Sequence, residues 1–199
     1  MDTKNKILTV AGHLFAESGF DGVSIRDIAV KASVNVSAVN YHFGCKQDLF
    51  DEILAHGANM LRLKIGSVCS RSKSLAEYGV IFFDETIKES DSLKTIVRML
   101  LSSAELAPEF VHNHHSQIES FPPGINQLVD FVLKAHDLSD RAEARKVANI
   151  YHFQLIQNVL VTFYTGFKDL SLKQPDEHSP EVYKEYLVYL AKCLVKHHE

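Results

Sequence analysis

An all-α fold, with three short helices ahead of a longer helical bundle, is what this sequence predicts. Three observations carry that expectation: apolar residues recur three and four positions apart almost throughout, period-two alternation bounded by turn residues is missing, and the 199 residues include only nine glycines and five prolines. A chain of this length, 46% hydrophobic and 23% charged, buries a sizeable core in one large or two small domains, which excludes a disordered tail or a mini-protein. No run reaches the roughly 18 uncharged apolar residues of a membrane-crossing helix. A soluble, cytoplasmic protein without membrane contact is therefore expected.

Taken in order, Ile7, Leu8, Ala11, Leu14 and Phe15 form the stripe of a first helix, which stops near Ser18-Gly19, where glycine tolerates a cap conformation closed to other residues. Ser24 followed by Asp27 has capping-box spacing and opens a short second helix whose Ile25, Ile28, Ala29 and Ala32 face inward. After a turn at Ser33 and Val34, Asn35 is an N-cap for a third helix from Val36, with Val39 and Phe43 on one side. Gly44 interrupts the pattern, and a long amphipathic helix starts near Lys46 with Leu49, Phe50, Ile53, Leu54 and Leu61.

Leu75 to Lys88 and Leu93 to Leu106 read as further helices, and Pro108 and the Pro122-Pro123-Gly124 turn separate them from another at Ile125 to His136. The segment Asp140 to Phe167 carries Val147, Ile150, Tyr151, Leu155, Val159, Phe163 and Phe167, too apolar to be covered by solvent alone. A polar loop over 168–179 leads to Ser179-Pro180, which opens a last helix bearing Val182, Tyr186, Leu187, Tyr189, Leu190 and Leu194.

Charge and cysteines narrow the function. The formal net charge of −4 argues against binding nucleic acid through bulk positive charge, but residues 1–47 carry five Lys/Arg against four Asp/Glu, so the N-terminal part is the more basic one. Cys45, Cys69 and Cys193 lie far apart without a C-x-x-C pair, suggesting neither a disulfide framework nor a cysteine zinc site. His112, His114 and His115, with Glu109 or Glu119, have the residue types of a metal site, but a solvated helix end fits that spacing better, and no metal or cofactor is expected.

Two short helices joined by a tight turn match the helix-turn-helix plan, in which the second helix of the motif enters the DNA major groove. At about 100° per residue, the side opposite Val39 and Phe43 presents Ser37 and Tyr41, flanked by Ala38 and Asn40. Asn pairs bidentately with adenine, Tyr and Ser donate to phosphate, and Ala approaches a thymine methyl, so such a face reads DNA with little charge.

The segment KILTVAGHLFAESGFDGVSIRDIAVKASVNVSAVNYHFGCKQDLF, Lys6 to Phe50, resembles the N-terminal domain of TetR-family transcriptional regulators. The resemblance implies a helix-turn-helix domain over 1–47 and a helical effector-binding and dimerisation domain over 48–199. It further implies a homodimer, formed through the last two helices, that binds a palindromic double-stranded DNA operator, most often as a repressor, and is released by a small molecule. Position by position, Arg26, Ser37, Ala38, Asn40, Tyr41 and His42 match the family's DNA-contacting residues, and Lys46 its phosphate-gripping lysine. Three residues depart from the pattern: Ser33 replaces a turn glycine, Val36 a polar residue, and Cys45 a serine or proline.

For an effector, Met60, Phe82, Phe83, Met99, Phe110 and Phe131 are candidate cavity residues, with ordinary core packing as the alternative. His152, Gln157 and Asn158 are candidates to orient a ligand, or else satisfy one another or face the dimer seam. Two rival classes remain, a helical enzyme and a protein-interaction module that keeps the fold without reading DNA. The sequence holds no phosphate-binding glycine loop, nucleophile elbow or H-E-x-x-H pair, so no enzyme activity is expected.

Overall fold

The computed structural model describes residues 2–88, 95, 123–164 and 180–196. Among them are eight helices and no strand: α1 (Thr3–Ser18), α2 (Ile25–Lys31), α3 (Val36–Phe43), α4 (Lys46–Arg71), α5 (Leu75–Lys88), α6 (Ile125–Ala135), α7 (Arg141–Tyr164) and α8 (Pro180–Lys196). The expected helix Leu93–Leu106, except Thr95, lies outside the described residues, as do the His112–His115 cluster with Glu109 and Glu119, Met99, Phe110, Phe167 and the loop 168–179. The chain packs as two units that divide within α4, between Met60 and Leu61.

In the first unit, Ile7, Ala11 and Phe15 of α1 meet Ile28 and Ala29 of α2, Val39 and Phe43 of α3, and Leu49, Phe50 and Ile53 of α4 in one core. Three rings knit it together: Phe50 lies edge-on to Phe15 at 5.3 Å and to Phe20 at 5.0 Å, spacings at which aromatic pairs add attraction beyond buried area. Phe20 thereby ties the loop after α1 to α4.

In the second unit, α5 packs against α7, and α8 against both, while α6 lies on α7. Its core joins Ile65 and Val68 of α4 to Leu75, Tyr78, Phe82 and Phe83 of α5, with Tyr151, Leu155 and Val159 of α7 and Leu187 and Ala191 of α8. Gly79 is needed for close approach, because a Cβ there would overlap the hydroxyl oxygen of Tyr151, which donates to the Leu187 carbonyl at 3.2 Å. Leu187 is thus an interior residue of the second unit, and the surplus apolar surface of α8 lies elsewhere on the helix.

The unit also buries a histidine. His152, on the inward side of α7, is 2% exposed, its ring lies edge-on to Phe82, and neither ring nitrogen has a hydrogen-bond partner among the described residues. Burial disfavours the imidazolium and lowers its pKa to about 4. The unfolded chain takes up this proton near pH 6.5 and the folded chain does not, so the stability that the neutral ring contributes above pH 6.5 is lost as pH falls towards 4. His136, partly buried, shifts in the same direction. Between pH 6.5 and 5, above most carboxylate titration, His152 should account for a loss of about 2 kcal/mol. Urea unfolding at the two pH values should show His152→Leu losing less than the parent by about that amount, and equal losses would mean that the ring is protonated in the folded state.

Candidate nucleic-acid interface

The geometry of α3 is set by what flanks it. Ser24 accepts from the Asp27 backbone N–H at 3.2 Å while the Asp27 carboxylate accepts from the Ser24 backbone N–H at 2.9 Å, the reciprocal capping box that the spacing predicts. These hydrogen bonds, with the Ser24 hydroxyl donating as well, hold the Asp27 carboxyl below the usual carboxylate range. At the other end of α2, the Ser33 N–H donates to Val30 O and the Val34 N–H to Ala29 O, with Ser33 at φ 53°. That pair of bonds is a Schellman closure, and the left-handed position it requires is the one where glycine is usual. Ser33 fills it at a cost of about 1–2 kcal/mol, the steric penalty of the left-handed region for a residue with a Cβ.

The chain then enters α3 at Asn35, whose carbonyl accepts from Ala38 and Val39 N–H, while its side chain makes no cap bond. Val39 and Phe43 are buried, and Ser37, Asn40 and Tyr41 are exposed, Tyr41 by 86%. Ala38 and His42 are half-buried, with the His42 ring edge-on to Tyr41 at 5.3 Å. Arg26 is exposed near the start of α2. Val36 and Val30 are exposed apolar residues beside this face, and Val30 was not among the residues singled out from the sequence. Gly44, at φ 76°, ends α3 in a conformation closed to most side chains.

Cys45 precedes α4 and acts there as a serine would: its thiol donates to the Asp48 carboxylate at 3.0 Å and accepts from the Asp48 N–H at 3.4 Å. Lys46 follows, half-buried. Its ammonium donates to the carbonyls of Phe20 at 3.0 Å and Val23 at 3.1 Å and lies 4.1 Å from the centre of the Phe20 ring. An ammonium has three N–H donors, so these two carbonyls leave one N–H over. Lys46 is first of all a strap from α4 to the loop between α1 and α2.

The comparisons with known proteins agree with this geometry. Residues 7–53 match the model described as "Bacterial regulatory proteins, tetR family". Over that stretch the chain is similar to the TetR family. It is 40% identical over 55 residues to the "Probable HTH-type transcriptional regulator YttP" of Bacillus subtilis (strain 168), a match covering 28% of this chain and 27% of that protein. It is 22% identical over 126 residues, 62% of this chain and 66% of the other, to the "Biofilm operon icaADBC HTH-type negative transcriptional regulator IcaR" of Staphylococcus aureus (strain Newman). The chain thus spans about a quarter of the first relative and just under two thirds of the second. Among solved structures, a TetR transcriptional regulator from Legionella pneumophila superposes with a TM-score of 0.67 at 18% identity, covering 96% of this chain and 98% of that one. A transcriptional regulator from Rhodococcus sp. Rha1 does so at 0.71 and 16%, covering 98% and 97%. At such identities these two likenesses speak for the fold.

The candidate effector residues scatter. Phe82 and Phe83 are core residues of α5, Phe131 lies 6.0 Å from the Tyr78 ring, and His152 is buried beside Phe82. Gln157 is exposed on α7, about 140° around the helix from His152, so it does not face that interior. Met60 lines a separate groove of about 310 Å³ in the first unit with Leu8, Ile53, His13, His56 and Thr95.

The strap generates a prediction. Lys46→Met leaves two partly buried carbonyls without their charged donor and should lower the stability of the full chain by about 2 kcal/mol, the scale of hydrogen bonds to charged groups. Urea unfolding checks it, and unchanged stability would reduce Lys46 to a surface charge.

Proposed function

We propose that this chain is a dimeric, sequence-specific DNA-binding transcriptional regulator, a repressor that reads a palindromic operator in the cytoplasm and is released from it by a small molecule bound in the second unit. The observation that carries the reading is the division of α3: Val39 and Phe43 are locked into the core while Ser37, Asn40 and Tyr41 stand in solvent, offering hydroxyls and an amide on one face of a helix of groove-entering size. Arg26 and the remaining N–H of Lys46 supply phosphate contacts on either side, and Ala38, His42 and Val36 border the base edges. Repression is supported by IcaR, whose name describes a negative regulator.

Dimerisation is supported by two exposed apolar stripes. On α7, Ile150 and Phe153 stand out of the surface, Phe153 by 62%, and on α8 so do Tyr186 and Tyr189, Tyr189 by 67%. The spacings of three residues within each helix put each pair on one face. A second copy applying the same stripes would bury them in an isologous four-helix contact, and two subunits are what a palindrome requires.

Two measurements test this reading. Selection of DNA fragments by the purified protein should return a palindrome, on which Tyr41→Ala weakens binding without changing thermal stability. Asn40→Ala should relax preference at one position by about 1–3 kcal/mol, the scale of a bidentate base contact. Uniform weakening by Asn40→Ala would place that residue on phosphate, and unchanged affinity of the Tyr41 variant would remove it from the contact face. Phe153→Asp and Tyr189→Asp should give folded monomers by light scattering, with much weaker operator binding. A dimer that survives both substitutions would put the interface elsewhere.

A further inference from the structure

The interior of the second unit contains a polar seam that the fold does not satisfy. On α5, Tyr78, Phe82 and Thr86 follow one another at intervals of four residues and so lie along one ridge. All three are buried, and that ridge faces α7: the Tyr78 ring lies 6.5 Å from that of Tyr151, and the Phe82 ring 6.0 Å from that of His152. Along it the Tyr78 hydroxyl, the Thr86 hydroxyl and both His152 ring nitrogens are buried and have no hydrogen-bond partner among the described residues. Tyr151 next door is satisfied by the Leu187 carbonyl, so the neighbourhood can place an acceptor when one is needed. An orphaned buried polar atom is costly, and in folded proteins such atoms are few; several on one seam mark a place where stability has been given up for something else.

Resting on the effector-responsive reading above, we propose that the α5–α7 seam binds a compact uncharged molecule, an aromatic or aliphatic body bearing a hydroxyl or carbonyl, whose polar group meets the His152 ring and one of the Tyr78 and Thr86 hydroxyls, which lie about two helical turns apart on α5, with Phe82 against its apolar part. The donor set defines the class. A neutral imidazole offers one donor and one acceptor, and the two hydroxyls offer both, so the seam complements a group that accepts and donates. His152 is neutral at pH 7, because burial keeps its proton off. The cation beside Phe82, Lys64, lies 3.7 Å from the Glu85 carboxylate, so its charge is already answered. A carboxylate brought here would lose its water without gaining a counter-charge.

The test uses the whole 199-residue chain and three probes of one shape: 4-ethylphenol, ethylbenzene and 4-ethylbenzoate. Calorimetric titration should show saturable binding of the phenol, at least about tenfold weaker binding of the hydrocarbon, and none of the benzoate, since a lost hydrogen bond to a buried partner exceeds about 1.4 kcal/mol. One of Tyr78→Phe and Thr86→Val should weaken the phenol, and each, having removed an orphaned atom, should raise the Tm of the ligand-free protein by about 2–4 °C; phenol binding unchanged in both would overturn the site. Benzoate binding as tightly as phenol would overturn the uncharged class. Equal binding of ethylbenzene, absence of phenol binding, or a lowered Tm in both variants would overturn the site. Phenol that binds wild type and is weakened by one of the variants, without altering operator affinity, would leave the site standing and take down only the release mechanism.

Discussion

The seating of Val39 and Phe43 in the first unit is the constraint on which the candidate interface depends. An eight-residue helix has too few backbone bonds to hold its own shape in water, so the rotation of α3 is set by what it buries. With those two side chains in the core among Ile28, Ala29, Leu49 and Phe50, Ser37, Asn40 and Tyr41 have nowhere to point but outward. Everything around α3 then serves to keep that rotation. The Schellman closure at Ser33 fixes the angle of entry, Gly44 stops the helix, and the cysteine cap at Cys45 starts α4 at once. The strap from Lys46 to Phe20 and Val23, reinforced by the Phe15, Phe20 and Phe50 rings, closes the loop behind the motif.

Local chemistry was the legible part of the sequence. The Ser24–Asp27 box, the Asn35 entry to α3, the breaks at Gly19 and Gly44 and the bounds of α5 can be read because each depends on residues within one or two helical turns. The inward side of α3 was legible for the same reason, two apolar residues four apart in an otherwise polar segment. The role of Lys46 was not: its partners are backbone carbonyls 26 and 23 residues earlier, and a carbonyl leaves no mark in a sequence. Leu187 illustrates a second kind of blindness. On α8 apolar residues line two faces, one with Leu187 and Ala191 and one with Tyr186 and Tyr189, and periodicity alone does not say which face belongs to the subunit's own core. Tyr78 and Thr86 fall within the segment that reads as a helix, and nothing in a sequence tells whether a buried hydroxyl will find an acceptor.

The face proposed to meet DNA has little charge to spare. The near balance of acidic and basic residues over 1–47 favours direct readout over bulk charge for the proposed recognition, and the acidic side chains closest to the motif are engaged elsewhere. Asp27 is turned onto Ser24 and Asp48 onto Cys45, so each carboxylate is held at a helix N-terminus, where the backbone N–H groups favour negative charge. The same caps that shape α2 and α4 thus draw negative charge in towards the helix ends, on either side of the face that is proposed to meet phosphates.

In the second unit the usual distribution of polarity is inverted at two places. Phe153 and Tyr189 put aromatic area into solvent, while Tyr78, Thr86 and His152 put polar atoms in the interior. Each inversion lowers the stability of the isolated chain, and they lie on different faces of the same helix: on α7, Ile150 lies about 160° and Phe153 about 100° around the axis from His152. A subunit optimised only to fold would exchange them, with apolar groups on the seam and polar ones on the stripe. That it keeps both on α7 is what a protein needs if one side of that helix is completed by a second copy and the other by a small uncharged molecule, since each partner then restores the stability that its absence withholds.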